Sequence, residues 1–317
     1  MKANVYFLII FLVFFNTKSL SIDATQALKA NFVFLKINNH KIVAEIADNE
    51  VQRIKGLINA CFEETDATVS VAKMKNHAFM GITLCTKNLF GLPPIIPPMG
   101  RTRSYYHHLI RLSYVLPDLA MITQPCLNII DGLTGQGGRG GGGEGRACNT
   151  LIAGDHPITT DTCGMHLMGH DPKSDWPTTP FKRDRNHLLV AAQHGYGSVD
   201  LDDIDFESDV TAPLAEFDSV ETDSMGTVAN WRRTTCEQGL IYEEKQKELI
   251  DKYRNNFIYL QDGEVVWSGT DPSNLGSRRQ LSGERKDSAL WLKLVDPKES
   301  EGEKFQVYRD CLTEFVA

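Results

Sequence analysis

Apolar and polar positions change rhythm several times along this chain, and each change predicts an element. From Asn31 to Glu45 the two kinds alternate, so two short strands (NFVFLKI and KIVAEIA) are expected to meet at Asn38-Asn39. Asp48 to Ala60 suits a short helix, and Val69–Ala72, short and β-branched after Asp66, suits a buried strand. Arg101 to Leu116 reads as a helix carrying His107 and His108, broken by Pro117-Asp118. Two apolar patches follow, Leu127–Ile130 ending on Asp131-Gly132 and Leu151–Ala153 ending on Gly154-Asp155. They predict two buried strands that each deliver an aspartate to one sheet edge, where open α/β sheets hold their ligands.

Further along, Pro157–Met168 has proline in its first turn and Gly169 beyond its end, the punctuation of a helix. Asn186–His194 is a second helix, closed by Gly195-Tyr196-Gly197. Residues 207–236 are acidic and low in pattern, the character of a linker. Glu237 to Arg254 carries the Glu/Lys pairs of an exposed helix, Asn256 to Gly269 a hairpin around Asp262-Gly263, and Ala289–Val295 another strand. The expected architecture is α/β: a mixed or mostly parallel sheet flanked by helices over residues 30–206, then a small α+β module over 237–317.

The first 21 residues stand apart. A basic start at Lys2, an apolar run from Val5 to Phe15 and small residues at Ser19-Leu20-Ser21 have the form of an export signal or an N-terminal anchor. On that basis the protein is exported or membrane-anchored if this leader operates, and cytoplasmic otherwise. Membrane contact is expected through this segment alone.

Charge removes one class of partner. The formal net charge of −8 argues against a general nucleic-acid binder, which would need a basic face, and no aromatic-plus-basic stripe appears. The seven cysteines include no C-x-x-C pair, which excludes a ferredoxin-type iron-sulfur run and the common zinc ribbons.

The candidate chemistry is a cationic row beside acidic loops. Lys73, Lys75 and His77 alternate along one stretch, with Lys87-Asn88 ten residues further on. In an acidic protein such a row suits a carboxylate or phosphate, and His77 could exchange a proton near neutral pH. Between the apolar patches, Gly135 to Gly145 holds eight glycines in eleven residues. This loop is either a mobile connector or a backbone cradle for an anion, with Arg139 and Arg146 as clamps. It matches neither nucleotide fingerprint. His166 and His170 have the i, i+4 spacing of a metal pair with Asp171 adjacent, but they lack an E-x-x-H frame and Gly169 falls between them.

Four blocks then occur in order: VAKMKNHAFMGITLCTKNLFGLPP, PCLNIIDGLTGQGGRGGGG, AGDHPITTDTCGMHLMGHDP and HGYGSVDLDDI. Together they resemble domain-of-unknown-function family 362 across about Ala67 to Ile204. The resemblance implies an α/β fold and carries over Lys73, Lys75, His77, Lys87, Asn88, Asp131, Gly132, Gly154, Asp155 and Asp161. Members of that family are linked to redox settings and many carry a ferredoxin-type cluster domain, which this chain lacks. The family has a longer N-terminal half than the stretch from Ala30 to Asp66 supplies, so a shortened variant or a gene fragment is expected. YRNNFIYLQDGEVVWSG resembles a small accessory module that could dock a protein partner.

Two functions follow as expectations. In the first, the protein binds a small anion and acts on it by acid-base or redox-linked chemistry. Lys73, Lys75, His77 and Asp155 would be catalytic, Lys87, Asn88, Asp131, Gly132, Arg139 and Gly154 would bind the ligand, and Asp131, Asp155 and Asp161 could hold a divalent cation. In the second, it is a non-catalytic, envelope-associated binding or accessory protein. The second expects the lysines and aspartates to lie apart.

Overall fold

The computed structural model describes residues 7–11, 67–92, 110–138, 143–218, 223–270, 278–283, 285, 287–297, 302–313 and 315. The strands expected between Asn31 and Glu45, the helix Asp48–Ala60, His107, His108 and Arg139 lie outside them.

Five strands make the main sheet: β1 (Phe7–Phe11), β2 (Ala67–His77), β3 (Gly81–Thr83), β4 (Leu127–Gln136) and β5 (Gly145–Gly154). The order is β1-β2-β4-β5, with β3 folded back on β2. β1 and β4 run parallel to β2, so the sheet is mixed and the fold α/β. β1 comes from the apolar run expected as an export leader; Phe7 pairs with Ala67 and Phe11 with Val71. Hydropathy alone does not separate a leader from a strand of β-branched and aromatic residues.

The direction of β5 corrects the expected shared rim. β4 and β5 pair antiparallel, Asp131 opposite Leu151 and Asn128 opposite Gly154. The two apolar patches are therefore the arms of one hairpin, with the glycine-rich stretch at its tip. A parallel crossover needs a dozen or more residues, usually helical, and this stretch provides neither.

Ala72, Met74, Ile130 and Ile152 are buried on one face of the sheet. Against that core pack α1 (Cys85–Asn88), α2 (Leu112–Thr123), α3 (Pro157–Leu167) and α4 (His187–Gln193). Each of the larger side chains, Met74, Ile130 and Ile152, contributes about 1.5–3 kcal/mol by leaving water. α3 approaches closely because it presents Gly164: a Cβ there would lie 2.6 Å from Ile130 Cδ1. Pro117 does not break α2 but sits inside it. The run Leu112–Ala120 is buried throughout, and that packing offsets the lost backbone bond.

The C-terminal part holds α5 (Met225–Tyr253), β6 (Phe257–Gln261), β7 (Glu264–Gly269), α6 (Arg278–Ser282), β8 (Trp291–Leu294) and α7 (Gly302–Thr313). Its three strands form an antiparallel sheet in the order β7-β6-β8. The hairpin turns at Asp262 and Gly263, with φ of 50° and 80°. α5 begins at Met225 rather than Glu237, capped by Ser224, whose hydroxyl accepts from the Thr227 amide at 3.1 Å. Val228, Arg232 and Cys236 form its buried stripe, and the charged residue in the middle disguises the helical period.

This part is bolted to the rest. Ile110, Tyr114 and Val190 share a core with Tyr242, Trp291 and Phe305. Arg111 donates to Tyr308 Oη (3.1 Å) and to the Leu292 carbonyl (3.0 Å), and its guanidinium lies over the Trp291 ring. Arg232 reaches Asp184 at 2.9 Å with both side chains buried. Among the described residues no helix is long and apolar enough to cross a membrane.

Candidate functional site

Alternation along β2 divides its side chains between the two faces. Ala72, Met74 and Asn76 are buried, while Lys73, Lys75 and His77 are half-buried on the opposite, open face. Parallel pairing sets Lys73 beside Asp131, and the side chains meet, Nζ to Oδ2, at 3.0 Å. The other oxygen of Asp131 accepts from the Leu133 amide at 3.0 Å, so the carboxylate is held at both ends. A register shift follows, and Lys75 pairs with Gln136. Inside that irregular stretch, Gly132 admits the Thr150 carbonyl and the Met74 thioether, which a Cβ would meet at 3.0 and 3.2 Å. Burial lowers the Lys75 ammonium below its ordinary value.

His77 ends the row. Its Nδ1 accepts from the amides of Phe79 and Met80, both at 3.1 Å. The proton of the neutral ring therefore sits on Nε2, which makes this nitrogen a donor. The turn that shapes β2–β3 thus fixes the tautomer.

The other expected residues lie elsewhere. Asp155 is exposed just beyond β5, four residues past the partner of Asp131, or roughly 13 Å along the strand. Gly154 serves packing, since a Cβ there would meet Thr160 Oγ1 at 2.2 Å. Lys87 lies over the Phe90 ring at 4.7 Å. Asn88 is buried and donates to Ser70 Oγ and the Val71 carbonyl, both at 3.2 Å, tying α1 to β2. Asp161 is buried on the core face, accepting from the amides of Cys85 and Thr86 at 2.7 Å each. It caps the first turn of α1 from a distance of more than seventy residues. Asp131, Asp155 and Asp161 thus occupy an open face, a strand end and a core, and cannot share one cation. Among the described residues no group of three or more His, Cys, Asp or Glu could hold a metal ion.

Residues 22–166 match the family model described as Domain of unknown function (DUF362). Over that stretch the chain is DUF362-like. The match takes in the lysine row, the β4–β5 hairpin and nearly all of α3, and leaves out α4 and the C-terminal part. The chain is also 27% identical over 115 residues to the Thylakoid-associated protein sll1697 of Synechocystis sp. (strain ATCC 27184 / PCC 6803 / Kazusa). That stretch is 34% of this chain and 34% of that protein, so the chain matches about a third of its curated relative's length. No solved structure matches.

Sequence reasoning missed Asn76. It is wholly buried, donates to the carbonyls of Phe217 and Asp218 at 3.1 and 2.8 Å, and faces His170 Nε2 at 3.3 Å through Oδ1. The available signal was a polar residue at a position of β2 whose alternation predicts core.

Proposed function

We propose that this DUF362-like protein binds a small carboxylate or phosphate on the open face of its main sheet. Lys73 and Lys75 would supply charge and His77 an Nε2–H donor. The observation that carries this reading is the one-face alternation of these three residues beside the Lys73–Asp131 pair. Two ammonium groups and an imidazole N–H are a donor set, with anions as their complement. Binding is favoured over catalysis, because the carboxylates that would orient a substrate or hold a cation lie apart and His77 uses Nδ1 to brace its own turn.

Asp131 competes with the ligand for Lys73, which gives the test a sign. Titration calorimetry with inorganic phosphate and with succinate should show saturable binding of one of them to the wild-type protein. Lys75→Gln should weaken it about tenfold, the worth of a charge-assisted bond. The Lys73–Asp131 pair is one-third exposed on each side and therefore weak, so Asp131→Asn should tighten binding by about two- to fivefold. Absence of saturable binding by either anion, or weaker binding in Asp131→Asn, defeats the reading.

A second reading places the protein at a membrane surface, as the name of the Synechocystis relative suggests. Leu133 and Leu151, 53% and 63% exposed near Asp131, support it. Co-sedimentation with anionic-lipid vesicles tests it; Leu151→Glu should abolish pelleting, and a wild-type protein left in the supernatant ends the idea.

A further inference from the structure

A concavity of about 450 Å³ lies between the turn after α3, the 3-10 turn Leu201–Asp203 and the segment at Ala212–Pro213. Its size falls in the range of small-molecule sites, roughly 300–1,000 Å³. The turn depends on Gly169, whose φ is +84° and where a Cβ would meet Pro213 Cβ at 2.8 Å. Directly after it comes His170.

The tautomer of His170 follows from its neighbour. The Asn76 amide nitrogen donates to two backbone carbonyls, so its oxygen is the acceptor and His170 Nε2 carries the proton. Nδ1 then bears a lone pair. It has no hydrogen-bond partner among the described residues and is not sealed from solvent. Burial pulls the ring's pKa down to about 4, so the ring stays neutral at physiological pH. An imidazole in this state accepts a hydrogen bond and repels a carboxylate.

The complementary charge lies elsewhere in the same cavity. Lys173 Nζ is held 2.6 Å from Asp200 Oδ2, which occupies one of its three donors. Asp171 lines the cavity beside it, so a bound carboxylate must use the two remaining donors against two acidic neighbours. Val199, Leu201 and Pro213 supply an apolar wall. We propose that this cavity binds a small hydroxy acid with an apolar body, its O–H donating to His170 Nδ1 and its carboxylate held by Lys173. The site lies apart from the lysine row on the sheet's open face and does not depend on it.

4-Hydroxybenzoate and benzoate are suitable probes, since they differ only in the donor. By titration calorimetry 4-hydroxybenzoate should bind about tenfold more tightly than benzoate, the most that a single hydrogen bond normally contributes. Lys173→Met, at an exposed position, should weaken both about equally. In Lys75→Gln, where the sheet-face site is weakened, the preference for 4-hydroxybenzoate over benzoate should persist, which separates this cavity from the sheet-face site. The proposal is overturned by equal affinity for the two acids, by no saturable binding of 4-hydroxybenzoate, by a Lys173→Met protein that binds as the wild type does, or by a preference that vanishes in Lys75→Gln. His170→Phe should erase the preference between the acids. Because it also removes the Asn76 contact, it is read only beside the ligand-side comparison.

Discussion

Arg232→Ala should destabilise the protein by about 3–5 kcal/mol, the penalty for leaving one member of a buried ion pair alone. Arg232 and Asp184 are 0% and 2% exposed and lie 2.9 Å apart. Asp184 is also the acceptor for the Ile110 and Arg185 amides and the Ser113 hydroxyl, at 3.0, 2.8 and 3.2 Å. The Arg232 guanidinium stacks over Trp176 at 4.3 Å. Burial raises the Asp184 carboxyl above its ordinary value and the Arg232 charge pulls it back, so removing Arg232 drives it toward the neutral form. Urea unfolding of Arg232→Ala, Asp184→Ala and an Arg232→Met/Asp184→Leu double variant separates pairing from packing. The double variant should recover much of the loss, because apolar replacement of both partners leaves no lone buried charge. A single variant as stable as the wild type would show that the C-terminal part is not anchored through this pair.

Asp161→Ala should cost about 2–6 kcal/mol, since it strips the acceptor from two buried amides and each orphaned donor costs about 1–3 kcal/mol. The same carboxylate gives a pH signature. Burial pushes its pKa from 3.8 up to about 7, against the pull of the Thr86 and Cys85 donors. The folded state therefore holds this proton more tightly than the unfolded state. The contribution is fully present below about pH 4 and is lost as pH rises through 7, so stability should decline across that window. Urea midpoints between pH 5 and 8 should fall for the wild type and flatten in Asp161→Asn. A slope that survives in Asp161→Asn belongs to another group, and a harmless Asp161→Ala would remove the capping role.

The family blocks locate the α/β domain, and punctuation by proline and glycine places α3 and α4 within a residue or two of their observed ends. Asp131 lies within β4 and Asp155 just beyond the end of an antiparallel β5. From the sequence they read as a pair of strand-end aspartates, because a residue pattern of period two is the same in either strand direction. The early start of α5 is hidden for a related reason. A buried arginine reads as solvent until its partner, Asp184, is known.

What the amino-acid order determined unaided is local: which side chains share a face of β2, where α3 and α4 stop, and that Asp262-Gly263 can turn a hairpin. These depend on neighbours a few residues away. The tertiary structure alone decided which way β5 runs, that Asp161 caps a helix rather than facing a ligand, and that Asn76 holds His170 at the rim of a cavity. Each of these rests on contacts between residues dozens of positions apart, whose free energy depends on burial and on a partner that local pattern does not encode.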